Sequence, residues 1–186
     1  MKINKTSLPE VFLIEPKVFH DERGFFLETW QADRYRQFNF PGPFVQANSA
    51  WSKHGVLRGL HYQLRCPQGK LVWVTYGEVF DVAADIRVGS PTFGQWIGEI
   101  LSAENRRQLY IPPGFAHGYC VLSDSADFSY FCTDFYTPGD EYGVCWNDTM
   151  LKIAWPLTNP IVSEKDQKLH GVAEISETNL PLYQGG

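Results

Sequence analysis

The segment Gly55-Val56-Leu57-Arg58-Gly59-Leu60-His61-Tyr62-Gln63, with Lys70 shortly after it, puts an imidazole, a guanidinium and an ammonium close together on strand-like sequence. A second segment, Pro112-Pro113-Gly114-Phe115-Ala116-His117-Gly118, carries another imidazole behind a rigid turn. Together they imply a site for an anionic ligand at which a proton is removed. An imidazole, with an ordinary pKa of about 6.5, suits general-base work near neutrality. A lone mid-strand histidine is ordinarily a core residue satisfied by a carbonyl. Here Leu57, Gly59, His61 and Gln63 share a face by period-two alternation, and that face is too polar for an ordinary core. A carboxylate on the other ring nitrogen would fix the tautomer, but local sequence does not name it.

The remaining candidates each have a plain structural reading beside the chemical one. Lys70, Val72 and Val74 share a face, so the ammonium can project into a barrel mouth and stabilise a developing oxyanion; a strand-end lysine in solvent is the alternative. Arg58 has the opposite parity to His61, so either Gly59 introduces a bulge or Arg58 reaches another part of the ligand. Arg23, in Asp21-Glu22-Arg23-Gly24-Phe25-Phe26, is either a phosphate clamp or a surface ion-pair partner. Tyr130 is a candidate acid on a strand where aromatic packing is the usual role. Ser163-x-x-Asp166 fits the capping box that opens a helix, and from these residues alone capping comes first. His61 and His117 provide only two imidazoles without a clear third ligand, so metal-free chemistry is expected.

The elements that must position these groups are mostly strands. Lys70 to Tyr76 breaks at Gly77, and Glu78 to Arg87 follows, with Phe80, Val82, Ala84 and Ile86 on one face and Asp81, Asp85 and Arg87 on the other. Trp96 to Leu101, Arg107 to Ile111, His117 to Ser123 and Asp127 to Phe135 are further expected strands, separated by Gly-, Pro- and Asn-containing turns. One helix is expected from Gln31 to Phe38, ended by Asn39 and Pro41, and a short one near Ser163 to Asp166. Asn179 to Gly186 reads as loosely ordered. Many short strands at such spacing argue for an all-β sandwich or jelly-roll barrel. No repeat or linker divides residues 1–186, so one domain is expected.

Composition narrows the classes. The chain has 186 residues, 15% aromatic, with 16 glycines, 12 prolines and a formal charge of −5. It is long enough to bury a sizeable core. Charges of both signs are interspersed and no basic patch is present, which argues against a nucleic-acid partner. No signal peptide and no apolar run of bilayer length is evident, so a cytoplasmic protein without a membrane partner is expected. Cys66, Cys120, Cys132 and Cys145 contain no CxxC pair. A disulfide framework is not expected, and Cys120 and Cys132 read as small buried hydrophobes.

Taken in order, these residues resemble the dTDP-4-dehydrorhamnose 3,5-epimerase family of the cupin superfamily. The resemblance is carried by Asp21 to Thr29, Gln46-Ala47-Asn48, Val56 to Gln63, Gln68-Gly69-Lys70, Gly89 to Gly94, Ile111 to Gly118, Trp146-Asn147-Asp148 and Ser163 to Asp166. It implies a jelly-roll homodimer without metal or nucleotide cofactor, acting on dTDP-4-dehydro-6-deoxy-D-glucose and inverting carbons 3 and 5. It also implies roles: His61 as general base, Asp166 as its dyad partner in place of the capping role, Lys70 as the enolate-stabilising cation and Tyr130 as the acid. Arg23, Glu28, Gln46, Asn48, Arg58, His117, Glu141 and Lys165 fall where the family contacts the nucleotide sugar, and Phe26 is an aromatic available to stack on thymine.

The chain departs from the family pattern at three positions. Phe131 stands where lysine usually follows the acid tyrosine, Cys145 precedes Trp-Asn-Asp, and Trp73 replaces a frequent arginine. None removes a residue of the implied mechanism. They leave open a relative that inverts only one carbon. Two readings from other classes are a non-catalytic sugar-nucleotide-binding cupin and a metal-dependent cupin oxygenase.

Overall fold

A computed structural model describes residues 1–37, 40 and 43–185. Thirteen strands dominate: β1 (Lys2–Lys5), β2 (Phe12–Glu15), β3 (Val18–Asp21), β4 (Gly24–Leu27), β5 (Gln46–Lys53), β6 (Leu57–Gln63), β7 (Lys70–Tyr76), β8 (Glu78–Asp85), β9 (Trp96–Ser102), β10 (Gln108–Ile111), β11 (Phe115–Val121), β12 (Ser125–Cys132) and β13 (Glu141–Gly143). They form a six-stranded sheet in the order β1-β2-β10-β7-β12-β5, a five-stranded sheet in the order β13-β6-β11-β8-β9, and the separate hairpin β3–β4. Pairing between these strands is antiparallel throughout. The result is the jelly-roll sandwich expected from the sequence.

Alternation explains where the core sits. Val72, Val74, Leu109, Ala126 and Phe128 of the six-stranded sheet pack against Val79, Ala83, Ile97, Leu101 and Phe115 of the other, filling the space between the sheets. The opposite face of β8, with Val82, Ala84 and Ile86, is also covered, by Val144, Leu151, Val172 and Leu180 from the chain's C-terminal third. Both faces of β8 are therefore buried, and the Asp81/Asp85 face turns inward. At Gly77 the chain crosses from one sheet to the other with φ +77°, and a Cβ there would sit 2.0 Å from the Ser125 carbonyl oxygen. Only glycine fits that bend.

Helices are few. The expected Gln31–Phe38 helix is seen as α1 (Ala32–Arg36), with the Gln31 side chain accepting a hydrogen bond from the Arg34 N–H as N-cap; Phe38, Asn39 and Pro41 lie outside the described residues. The helix expected near Ser163 is a single 3-10 turn, Asp166–Lys168. The expectation for the C-terminal end is corrected. Leu180 and Pro181 are buried, the Val88 N–H donates to Pro181 O, the Tyr183 N–H donates to Val88 O, and the Tyr183 ring lies 5.0 Å from the Arg87 guanidinium carbon. These contacts pin the segment, which its polar, proline-containing sequence does not advertise. Cys120 and Cys132 are buried, and all four cysteines are free thiols. Among the described residues no helix is long and apolar enough to cross a membrane.

Candidate active site

The parity problem between Arg58 and His61 is resolved by a bulge. On β11, His117 faces His61 and Tyr119 faces Arg58, so β6 carries one more residue than β11 over this interval. The irregularity falls at Gly59-Leu60. It turns Leu60 into the outer apolar cluster and leaves both Arg58 and His61 on the wall of one cleft of about 480 Å³. The glycine is required by contact as well as conformation. At φ +110° its Cβ would lie 2.6 Å from both Gly118 Cα and His117 O.

Both sheets contribute to this cleft. His61, Arg58 and His117 come from the five-stranded sheet, Lys70 and Tyr130 from the six-stranded sheet, and Glu141 from β13. The loop after β13 returns along the end of β6, where Ile161 bridges to Val56, and so delivers Lys165 and Asp166 to the same cleft.

His61 Nε2 lies 2.7 Å from Asp166 Oδ1, and His61 Nδ1 lies 3.8 Å from Glu141 Oε1. A neutral ring that donates its Nε2 proton to Asp166 presents the Nδ1 lone pair to the cleft. Burial pushes the Asp166 carboxyl up, but hydrogen bonds from His61, the Gly59 N–H and Ser163 outweigh it and hold the group below the usual carboxylate value. Ser163 Oγ accepts from the Asp166 N–H at 3.1 Å, so the capping half of the Ser-x-x-Asp motif is present at the backbone while the Asp166 side chain serves His61.

The cations differ in how they are satisfied. Lys70 has no carboxylate partner among the described residues, and burial lowers its pKa against the raising influence of Cys132, Glu141 and Asp81. Arg58 Nε donates to Ser52 Oγ at 3.0 Å, and its guanidinium has no carboxylate partner among the described residues either. Lys165 instead pairs with Glu141. Burial pushes the Tyr130 hydroxyl up to about 12, so it stays protonated at neutral pH. His117 donates from Nε2 to Asp81 Oδ2 at 2.9 Å, and burial lowers its pKa despite that neighbour.

Other expected contact residues lie apart from this cleft. Asn48 sits beside Tyr130 in register on the edge strand β5, where its amide donates to Cys132 Sγ at 3.8 Å and accepts from Gln46 Nε2 at 3.0 Å. Arg23, at the tip of the β3–β4 hairpin, is 90% exposed and paired with Asp21, Phe26 is 69% exposed, and Glu28 pairs with Arg34. None of these three lines the cleft of its own chain. Sequence reasoning does not find Tyr119 as a cleft residue, nor Asp81 as the buried carboxylate behind His117. The signal for Asp81 is the alternation that sets it opposite the apolar run of β8; Tyr119 reads as one more strand aromatic.

A larger depression, about 940 Å³, is lined by Glu10, Arg87 and several prolines. Its arginine is fully engaged, with Asp85 and Glu10 each accepting two bonds of 2.8–2.9 Å, so it offers no free charge to a ligand. Among the described residues no group of three His, Cys, Asp or Glu side chains is arranged to hold a metal ion. The cleft is the place where an unopposed cation, a carboxylate-held imidazole and a protonated phenol converge.

Comparison with known proteins identifies the family. Residues 5–174 match the family model described as dTDP-4-dehydrorhamnose 3,5-epimerase. The chain is 56% identical over 170 residues to the dTDP-4-dehydrorhamnose 3,5-epimerase of Pseudomonas aeruginosa, covering 90% of this chain and 94% of that protein. It is 38% identical over 187 residues to the dTDP-4-dehydrorhamnose 3-epimerase of Streptomyces niveus, covering 98% and 90%. The crystal structure of the Legionella pneumophila dTDP-6-deoxy-D-glucose-3,5-epimerase RmlC, in complex with dTDP-4-keto-L-rhamnose, superposes with a TM-score of 0.96 at 53% identity, covering 99% of each chain. The chain belongs to the dTDP-4-dehydrorhamnose 3,5-epimerase family.

Proposed function

We propose that this protein inverts carbons 3 and 5 of dTDP-4-dehydro-6-deoxy-D-glucose, giving dTDP-4-dehydro-L-rhamnose. The observation that carries the reading is the His61–Asp166 pair opening onto the same cleft as Lys70 and Tyr130. Both carbons flank the 4-keto group, so loss of either proton places the charge on one shared oxygen. His61 takes the proton at Nδ1, and Asp166 stabilises the imidazolium that results. Lys70, which has no carboxylate partner among the described residues, lowers both barriers by stabilising the enolate oxygen. Tyr130 approaches from the facing sheet and returns a proton to the opposite side of the ring, which is what inversion requires. Proton transfer is the whole reaction, and these side chains supply it without a redox or Lewis-acid partner.

The nucleotide portion accounts for the remaining polar groups. Arg58 and His117 line the cleft beside the reacting groups, and in this reading the nucleotide extends beyond the cleft-lining Ala50 to Gln46 and Asn48, farther along β5. Binding energy from the dTDP end orients the sugar without contacting the reacting carbons. The protein acts as a homodimer in this reading. Arg23, Phe26 and Glu28 sit on an exposed hairpin away from their own cleft, so they reach a nucleotide only in the cleft of a second copy. Mixing an Arg23→Ala chain with a His61→Ala chain tests this: activity returns on subunit exchange if the hairpin serves the partner, and stays absent if it does not.

The decisive experiment is incubation with the 4-keto substrate in deuterated water, followed by NMR. Deuterium at both carbons is the expected result. Label at one carbon would assign the protein to single-site epimerases such as the Streptomyces niveus relative, and no label would remove His61 as a base. Tyr130→Phe is expected to keep solvent exchange at the substrate carbons while inverted product falls by about 10²-fold or more.

A further inference from the structure

Tyr119 is a buried phenol on the cleft wall that the proposed reaction does not use. The residue is 5% exposed, and its ring stacks on Phe128 at 4.0 Å between centroids and 14° between planes. Phe128 in turn lies 6.0 Å from both the His117 and Tyr130 rings, so Tyr119 is locked into the aromatic row behind the reacting groups. Yet its hydroxyl, fully enclosed, makes no well-formed hydrogen bond among the described residues, although Ser52 and Arg58 lie close to it. A buried hydroxyl without a well-formed partner is destabilising, a cost that phenylalanine at the same position would avoid.

The surroundings of that hydroxyl indicate what it is for. Tyr119 faces Arg58 directly across the β6–β11 ladder; burial raises its pKa, and weak, poorly aligned hydrogen bonding from Ser52 and Arg58, with the Arg58 charge, pulls the other way. Arg58 is anchored through Nε, to Ser52 Oγ, and among the described residues its terminal nitrogens have no carboxylate. A guanidinium held at one point keeps several rotamers. Gripping an anion with both terminal nitrogens requires that this freedom be removed.

We propose that Tyr119 is a positioning residue for Arg58: when Arg58 engages the diphosphate of a nucleoside diphosphate, a guanidinium N–H turns onto Tyr119 Oη and the hydroxyl gains a well-formed partner. The inference rests on the reading of the cleft as a dTDP-sugar site. It gives Ser52, Arg58 and Tyr119 one joint task, recognition of the non-reacting end of the substrate. Tyr119 thereby affects affinity and leaves the proton transfers untouched.

Tyr119→Phe removes one oxygen and keeps the stack, so the test is clean. Binding of dTDP, followed by calorimetry, is expected to weaken roughly tenfold, with KM raised by a similar factor, kcat unchanged and Tm unchanged or higher. In an Arg58→Ala background the same substitution is expected to have no further effect on dTDP binding, an outcome that a general packing role would not give. Unchanged dTDP affinity in Tyr119→Phe, with Arg58→Ala clearly weakened, overturns the inference and leaves the site reading intact. Full dTDP affinity in Arg58→Ala itself overturns the placement of the diphosphate and the inference with it. A marked fall in Tm for Tyr119→Phe would mean the hydroxyl is already satisfied within the fold, and also overturns it.

Discussion

His61 Nε2 and Asp166 Oδ1 lie 2.7 Å apart although 105 residues separate them in the chain. The carboxylate selects which ring nitrogen carries the proton, so it acts on the rate through the tautomer. Asp166→Asn keeps the size but offers an amide that can turn an N–H toward the ring and favour the wrong tautomer. The expected result is a fall in kcat of about 10²- to 10⁴-fold, with dTDP affinity unchanged. Steady-state kinetics alongside dTDP calorimetry check it, and a kcat within a few-fold of wild type would remove Asp166 from the mechanism.

Lys70 and Tyr130 face one cleft but titrate apart. Burial drives Lys70 below its ordinary 10.5 and drives Tyr130 up to about 12. The ammonium is therefore lost first as pH rises, and the alkaline limb of the kcat/KM profile is expected to fall below pH 10.5. Lys70→Arg keeps a cation that holds its proton above pH ~12. That variant is expected to be slower at neutrality, with its alkaline limb moved upward. An alkaline limb identical in the two proteins would take the essential charge away from position 70.

Stability at low pH turns on a different carboxylate. Asp85 is fully buried and accepts from Arg87 Nε at 2.9 Å and from the Ser90 and Thr92 hydroxyls at 2.6 Å. Burial raises its pKa, but these bonds outweigh it and the folded value lies below 3.8. A depressed folded pKa gives stability that is complete above about pH 3.8 and lost as pH falls through the folded value. Asp85→Asn leaves Arg87 with Glu10 alone and is expected to cost about 3–5 kcal/mol at neutral pH, lowering Tm by roughly 10 °C. Its stability is also expected to depend less steeply on pH below 4, as read by thermal melts from pH 7 to 3.

How far the sequence speaks depends on the range of the interaction that fixes each feature. The central strands were legible where, as in β7 and β8, residues alternate locally and end at turn residues, with Lys70–Tyr76 bounded as expected by Gly77, whereas β1 to β5 and β13 were not legible as strands. The inward face of Asp81 and the pinned C-terminal end were not legible either, since both depend on what packs from elsewhere: His117 against Asp81, and Val88 and Arg87 against residues 181–183. Within the cleft, residue types mark His61 and Lys70 as chemically able. The Asp166 partner is invisible to local reading, because Ser163-x-x-Asp166 satisfies a cap equally well. Arg58 stood at the boundary, with both solutions to its parity open until register placed the bulge.

That bulge makes Gly59 the most sensitive backbone position in the cleft. It sits at φ +110°, and a methyl group there would lie 2.6 Å from Gly118 Cα and His117 O, neither of which is a flexible side-chain end. Relief requires β6 and β11 to separate, and these strands carry Arg58, His61 and His117. Gly59→Ala is expected to cost at least about 1–3 kcal/mol from backbone strain alone, lowering Tm by several degrees. It is also expected to reduce kcat/KM by more than 10²-fold in the fraction that remains folded, since displacement by about 1 Å is enough to lose that much. Circular dichroism melts together with kinetics below the transition separate the two effects. A folded Gly59→Ala protein with wild-type turnover would show that the close approach of β6 to β11 does not set the geometry of the site.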